Sequence, residues 1–333
     1  MKTCVISNGS FGTCLASILC ENGHDVILWG REVDYVEEMK QTRRNPRYLK
    51  GFDLPEKLIL TSDMKEAVDG AQLIVLATPT QFMRSSLEQL SKLGLKNPLF
   101  ANVAKGIEVS SLKRISEIVE EFFPGNHRFV ALAGPSHAEE AMAKIPTALV
   151  AASTDKANAK TVQKAFMNEY VRVYTSKDIT GVELGGALKN IFAIAAGILD
   201  GMGLGDNTKA ALMTRGIVEM ARLGKALGGK TATFNGLSGI GDLIVTCTSQ
   251  HSRNRFVGQE LGKGRNMNDI QKDMGHAVAE GVKTTESAWN LARKLNVVTP
   301  IIDEAYAILY KDADPKKALY RLMTRDAKEE QNG

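Results

Sequence analysis

Cysteine, histidine and aromatic residues are all scarce in this chain. Its 333 residues include only four cysteines and five histidines, and aromatics make up 6%. Cys4, Cys14, Cys20 and Cys247 form no C-x-x-C pair and are too sparse for a disulfide scaffold. They read as buried thiols in a reducing compartment. His24, His127, His137, His251 and His276 show no paired metal spacing, so no metal is expected. With so few aromatics, a stacking platform for single-stranded nucleic acid is excluded. Charge of one sign is also missing. The 42 Lys and Arg face 38 acids, for a net charge of +4 with both signs mixed along the chain. That balance suits small phosphorylated ligands, not a nucleic-acid track. The longest apolar run, near Ile191–Leu199, is about half of what a bilayer crossing needs. No apolar signal core follows Met1. A cytoplasmic protein without membrane insertion is expected. There is no G-x-S-x-G elbow to support a serine hydrolase.

What is present is an ordinary globular composition, 44% hydrophobic and 24% charged, at a length that favours two domains. The first half alternates short apolar runs with helical patterns. Strands are expected at Cys4–Ile6, Asp25–Trp29, Leu73–Ala77, Leu99–Val103, Phe129–Leu132, Ala148–Ala152 and Val171–Tyr174. Near-continuous apolar strands separated by helices indicate a doubly wound, mostly parallel sheet covered on both faces, of the Rossmann-like α/β class. From about residue 180 the pattern becomes all-helical. Stretches are expected at Val182–Asp200, Lys209–Leu227, Asp242–Thr248 onward, Val282–Leu295 and Ile302–Tyr310, with Pro315 opening a last helix through Met323. The expected division is therefore residues 1–180, binding a dinucleotide, and residues 181–333, a helical domain for substrate and catalysis. The polar tail from Ala327 is expected to fray.

Between the first strand and the first helix lies Ser7-Asn8-Gly9-Ser10-Phe11-Gly12. This is the place of the dinucleotide fingerprint G-x-G-x-x-G. One glycine serves the tight turn, the next lets backbone approach a pyrophosphate, and the last lets helix pack on strand. The helix N-terminus then presents free N–H groups and a positive dipole end. Gly9 and Gly12 stand where expected, whereas Ser7 replaces the first glycine. Serine suits this turn at negative φ, and only a positive φ makes its Cβ costly; a tolerated Ser7 is the expectation. The ribose-reading position falls at Gly30 or Arg31. Arg31 can pair with a 2′-phosphate or stack on adenine, or it is an exposed loop arginine. Glu32 beside it leaves the choice between NAD and NADP open.

Ligands of such sheets gather at the carboxyl ends of the strands. Three ends carry polar punctuation: Thr78-Pro79-Thr80, Ala104-Lys105-Gly106 and Ala133-Gly134-Pro135-Ser136-His137. Lys105 is a cation where an anionic or carbonyl oxygen could sit. Lys189 shares its helical face with Gly185, Gly186, Phe192 and Ala193. A lysine on so small and apolar a face is either desolvated, with a lowered pKa, or snorkels at a helix edge. Asp242, after Gly239-Ile240-Gly241, is a pocket wall or a helix N-cap. Arg253, with Ser252 and Asn254, either grips a phosphate or decorates a surface loop.

Taken together, Asn8–Thr13, Val103–Gly106, Gly134–Ala138, Glu183–Asn190, Gly239–Leu243 and Ser252–Asn254 make the chain resemble the bacterial-type NAD(P)-dependent glycerol-3-phosphate dehydrogenase family. That family usually has Gly at the place of Ser7 and Trp at the place of Phe11. The resemblance implies reversible reduction of dihydroxyacetone phosphate to sn-glycerol 3-phosphate for glycerophospholipid synthesis. It implies that Lys189 is the proton donor and acceptor. It further implies substrate contacts from Lys105, Gly134, Ser136, Asp242, Ser252, Arg253 and Asn254. Cofactor contacts are implied for Ser10, Phe11, Arg31, Lys105, Ala138, Arg253, Val278 and Glu280, beside the fingerprint Gly9 and Gly12. Another reductase of phosphorylated or carboxylated substrates would share the fold but not all six motifs. A nucleotide sensor without turnover would not need Lys105, Lys189 and Asp242. The apolar helices of the second half suggest a homodimer.

Overall fold

The apolar runs of the first half assemble into one eight-stranded sheet. In space its order is Val171–Ser176, Thr147–Ala152, Arg128–Ala133, Leu99–Asn102, Leu73–Leu76, Lys2–Ile6, Asp25–Trp29 and Ile59–Thr61. The computed structural model describes every residue except His276, Lys328 and residues 331–333. Expectations for His276 and for the end of the tail lie outside the described residues. All pairings in this sheet are parallel except that of Arg128–Ala133 with Thr147–Ala152. Val5 stands opposite Leu28 on one side and Val75 on the other. Alternate residues face opposite layers: Val5, Leu28 and Val75 pack with Leu15 and Leu19 of the first helix. Ile6, Leu76 and Phe100 pack with Ile118 on the other face. Both faces are thus covered, which is why the strands carry no polar stripe.

The sheet order reverses at Lys2–Ile6, whose neighbours on the two sides are Asp25–Trp29 and Leu73–Leu76. Such a reversal opens a crevice at the strand's carboxyl end, where the chain turns into the helix Ser10–Glu21. The edge strand Ile59–Thr61 and the ribbon of Arg44–Asn45 with Leu49–Asp53 were not expected; they are short and mixed in polarity.

The second half is built around the core helix Ile179–Gly201. Asp178 caps its start, accepting from Gly181 N–H at 2.9 Å, and also takes Thr233 Oγ1 at 2.6 Å. The helix is longer than the apolar run suggested, and by length and composition it could cross a bilayer. Yet 94% of its apolar window is buried inside the protein, so the layer around it is other helices. The last helix runs Pro315–Met323 as expected.

The helix Arg253–Gly262, absent from the sequence reading, packs along the core helix. It carries no broad apolar stripe; it is buried by glycines. A Cβ on Gly258 would lie 1.9 Å from Ile194 O, and one on Gly262 2.3 Å from Ile198 O. Reciprocally, a Cβ on Gly197 would lie 2.0 Å from Arg255 O, and one on Gly201 2.1 Å from Gln259 O. Two small-x-x-x-small ridges therefore bring backbone against backbone.

Ser7 departs from expectation: its φ is +103°. The cause lies in the turn. Ser7 N–H still pairs with Trp29 O at 3.0 Å, while Gly12 is pressed so near that its Cβ would stand 2.1 Å from Ser7 O. The other non-glycine residues with positive φ lie between 45° and 60°, inside the ordinary left-handed well. Among the described non-glycine residues with positive φ, Ser7 alone lies outside it, at a cost of about 1–3 kcal/mol.

Gly258→Ala is expected to lower the thermal midpoint by several degrees, corresponding to about 1–3 kcal/mol of overpacking against a carbonyl that cannot rotate away. A melting curve equal to that of the natural protein would contradict the glycine-ridge packing.

Candidate active site

Two lysines from different halves of the chain meet on one carboxylate. Lys189, on the core helix, is 4% exposed, and its Nζ donates to Asp242 Oδ1 at 2.7 Å and Thr246 Oγ1 at 2.5 Å. Lys105, at the end of the strand Leu99–Asn102, donates to Asp242 Oδ2 at 2.8 Å and to Gly134 O at 3.1 Å. Asp242 is 1% exposed and opens the helix Asp242–Thr248. It does not cap that helix; both carboxylate oxygens are spent on ammonium groups. A π-helical turn, Leu237–Gly241, precedes it. Such turns often reposition functional side chains.

The electrostatics follow from burial. Desolvation pulls the Lys189 pKa down to about 8; Asp242 opposes the fall and Lys105 adds to it. Burial by itself would raise the Asp242 carboxyl, but the two ammonium groups overcome it and hold the pKa below its ordinary value. His137 is driven down to about 4, by burial first and then by Lys189 and Lys105. It is a neutral ring beside the lysines, 5.9 Å from the ring of His251. Two ammonium groups sharing one carboxylate leave an excess of positive charge at a site lined by Ser136 and Arg253. An anionic or developing oxyanionic ligand is stabilised there.

These groups sit at the floor of a cleft of about 430 Å³, within the range of small-molecule sites. The fingerprint residues Gly9, Ser10, Phe11 and Gly12 line one wall, and Arg31 stands at the exposed end. Lys105, Ser136, Ala138, Lys189, Asp242, Ser252, Arg253, Asn254, Val278 and Glu280 line the same cleft. Gly134 does not line it, but its carbonyl receives Lys105 Nζ and, at 2.9 Å, Ser136 Oγ. Arg253 is exposed, and its neighbour Ser252 caps the Arg253 helix by accepting from Arg255 N–H at 3.2 Å. Asn254 is largely committed inside the protein. Its Oδ1 accepts from Gly281 N–H at 2.9 Å and its Nδ2 donates to Asn190 Oδ1 at 3.0 Å, leaving one N–H free to face the cleft. Glu280 is pinned by Thr80 N–H and Oγ1, both at 2.9 Å, and by Lys105 N–H at 3.3 Å.

A dinucleotide fits the open wall. Gly9 is at φ −63°, no side chain caps the helix it starts, and a Cβ there would have only Ser7 Oγ within 4 Å, at 3.7 Å. Backbone N–H groups thus face open space of the kind a pyrophosphate fills. Glu32 is tied to Arg47 at 2.7 Å, whereas Arg31 stays exposed at the rim. Among the described residues, no group of three His, Cys, Asp or Glu is arranged to hold a metal ion. A second cavity of about 500 Å³, lined by residues such as Leu199, Leu212 and Pro300, is mainly apolar and does not include the lysines.

Residues 2–159 match the family described as NAD-dependent glycerol-3-phosphate dehydrogenase N-terminus, and residues 178–320 match the C-terminus of the same family. The chain belongs to the NAD-dependent glycerol-3-phosphate dehydrogenase family. It is 49% identical over its whole length to glycerol-3-phosphate dehydrogenase [NAD(P)+] of Thermoanaerobacter sp. (strain X514), covering all of that protein. It is 50% identical to the enzyme of the same name from Syntrophotalea carbinolica, with 99% of each chain covered. The crystal structure of glycerol-3-phosphate dehydrogenase from Coxiella burnetii superposes with a TM-score of 0.94 at 36% identity, covering 97% of this chain and 99% of that one. This enzyme is thus an NAD(P)-dependent oxidoreductase with an N-terminal Rossmann-like half and a helical C-terminal half.

Several cleft residues escaped the sequence reading. Thr246 lies four positions after Asp242 on one helix, a spacing that could have flagged it. Asn190, beside Lys189, donates to Lys105 O at 3.1 Å and so joins the two lysine segments. Tyr48 and Phe82 also line the cleft; Tyr48 has no neighbouring motif, whereas Phe82 follows Thr78-Pro79-Thr80 by two residues, which could have flagged it.

Asp242→Asn is expected to drop the Lys189 pKa by about one unit or more, because burial and Lys105 then act without an opposing carboxylate. Titration of labelled lysine side chains by NMR measures it directly. An unchanged or raised pKa would refute the triad electrostatics.

Proposed function

We propose that this enzyme reduces dihydroxyacetone phosphate reversibly to sn-glycerol 3-phosphate, with Lys189 as the proton donor and acceptor. The observation that carries the reading is the buried Lys189–Asp242–Lys105 triad at the base of a dinucleotide cleft. The names of the 49% and 50% identical relatives support the same substrate pair. On this reading residues 1–180 hold the cofactor and residues 181–333 supply the substrate pocket and the acid–base lysine. Supply of glycerophospholipid synthesis and a cytoplasmic location accompany the reading.

NADH or NADPH, when bound along Gly9–Gly12, Arg31, Ala138, Val278 and Glu280, supplies the hydride. The protein's own task is the oxygen. As the ketone carbon becomes tetrahedral, its oxygen gains negative charge. Lys105 and Lys189 stabilise that charge, and the Lys189 ammonium donates the proton that completes the alcohol. In oxidation the neutral Lys189 amine removes the same proton. Asp242 orients both lysines and keeps Lys189 protonated near neutrality. Arg253, one N–H of Asn254 and the Ser252 hydroxyl provide donors for the phosphate, so remote binding energy fixes the reacting carbonyl.

The sign of the pH dependence follows from the lysine. Its pKa of about 8 means that the ammonium form dominates below that value and the amine above it. Reduction should fall, and oxidation rise, as pH passes through this range. Lys189→Ala should keep its fold and cofactor binding but lose roughly 10²–10⁴-fold in kcat, with this pH limb gone. Turnover close to that of the natural enzyme would remove Lys189 from the chemistry.

Arg253→Ala should impair use of dihydroxyacetone phosphate by at least about tenfold in kcat/KM, while slow use of unphosphorylated dihydroxyacetone changes little. Equal losses on both substrates would shift Arg253 from the phosphate clamp to the cofactor.

A further inference from the structure

Ser7 combines a strained turn backbone with two features that the turn does not require. It carries the one positive non-glycine φ outside the left-handed well among the described residues, +103°. It lines the cofactor cleft at the strand end where the sheet order reverses. Its Oγ borders the open space over Gly9, 3.7 Å from where a Cβ would stand. Backbone strain that persists at a ligand cradle points toward a role for the strained side chain.

The hydrogen-bond pattern says what that role is. Ser7 Oγ accepts from Gly9 N–H at 3.4 Å, a long contact. With the oxygen acting as acceptor, the hydroxyl hydrogen is left to donate. It lies beside the N–H groups of the uncapped helix start at Ser10–Glu21, which already favour an anion. A glycine at this position would relax the backbone but offer no donor.

We propose that the Ser7 hydroxyl donates a hydrogen bond to the diphosphate of the bound dinucleotide, a contact that glycine cannot make. The inference rests on Gly9 being the pyrophosphate cradle, as the functional reading above has it. The contact is to a group that NADH, NADPH and ADP-ribose share, so it raises affinity for all three and discriminates between none. Ser7 is thus a cofactor-binding residue with no part in choosing the cofactor.

Two substitutions separate the hydroxyl from the strain. Ser7→Ala keeps the Cβ and removes the hydroxyl; Ser7→Gly removes both. Dissociation constants for NADH, NADPH and ADP-ribose are measured by fluorescence and calorimetric titration, with thermal midpoints of the ligand-free proteins and Gly9→Val as a control. Both Ser7 variants should bind all three ligands three- to tenfold more weakly. Ser7→Gly alone should raise the ligand-free midpoint, by a few degrees. Ser7→Ala binding NADH as tightly as the natural protein, or Ser7→Gly binding it more tightly, would overturn the proposal. If Gly9→Val abolishes binding while Ser7→Ala does not alter it, the cradle stands and the Ser7 contact falls. If Gly9→Val also binds normally, the cradle assignment falls, and the Ser7 proposal with it.

Discussion

The site depends on one carboxylate shared by two ammonium groups. Asp242 is wholly buried, and such a charge is tolerated only when paired. Its partners come from opposite ends of the architecture. Lys105 follows a strand of the sheet, and Lys189 lies in the middle of the core helix. The second carboxylate oxygen of Asp242 is therefore satisfied by Lys105 only when the two halves of the chain are docked. The same pairing that makes the charge tolerable brings Lys189 to the cleft that the fingerprint residues line. Docking and cleft geometry are one requirement, and a shift in either lysine would leave one buried oxygen of Asp242 without its donor.

A polar chain reinforces this arrangement. Gly281 N–H reaches Asn254, Asn254 reaches Asn190, and Asn190 reaches the carbonyl of Lys105. Each link joins a segment of the second half to the next and finally to the sheet. Glu280 adds a parallel route by holding Thr80 and Lys105 main-chain N–H groups. The carboxylate of Glu183, buried between Arg114 and Ser116, fastens the core helix to the sheet domain away from the lysines.

The sheet was legible because strands buried on both faces read as short apolar runs, and every run expected is a strand. The fingerprint was legible because glycines between strand and helix have a narrow physical meaning. Lys189 was legible because its helical neighbours are small and apolar. The edge strand Ile59–Thr61 was not, since an edge needs no continuous apolar pattern. Nor was the Arg253 helix, because backbone contact through Gly258 and Gly262 leaves no hydrophobic period to detect. The Ser7 φ was missed for a different reason. The turn keeps the positive φ of the fingerprint's first glycine position even with serine there, which the assumption of a negative φ overlooked. Tyr48 reaches the cleft from an irregular segment, where spacing carries no information.

The glycine ridges have one more consequence, and it concerns disorder. A contact made by side chains must immobilise rotamers each time it forms, whereas a glycine ridge has none to immobilise. The start of the Arg253 helix, which lines the cleft, is thus seated on a contact with no side-chain freedom to lose. The helix start and the buried side chains of Ser252 and Asn254 are thereby held in place by the fold itself, at little ordering cost.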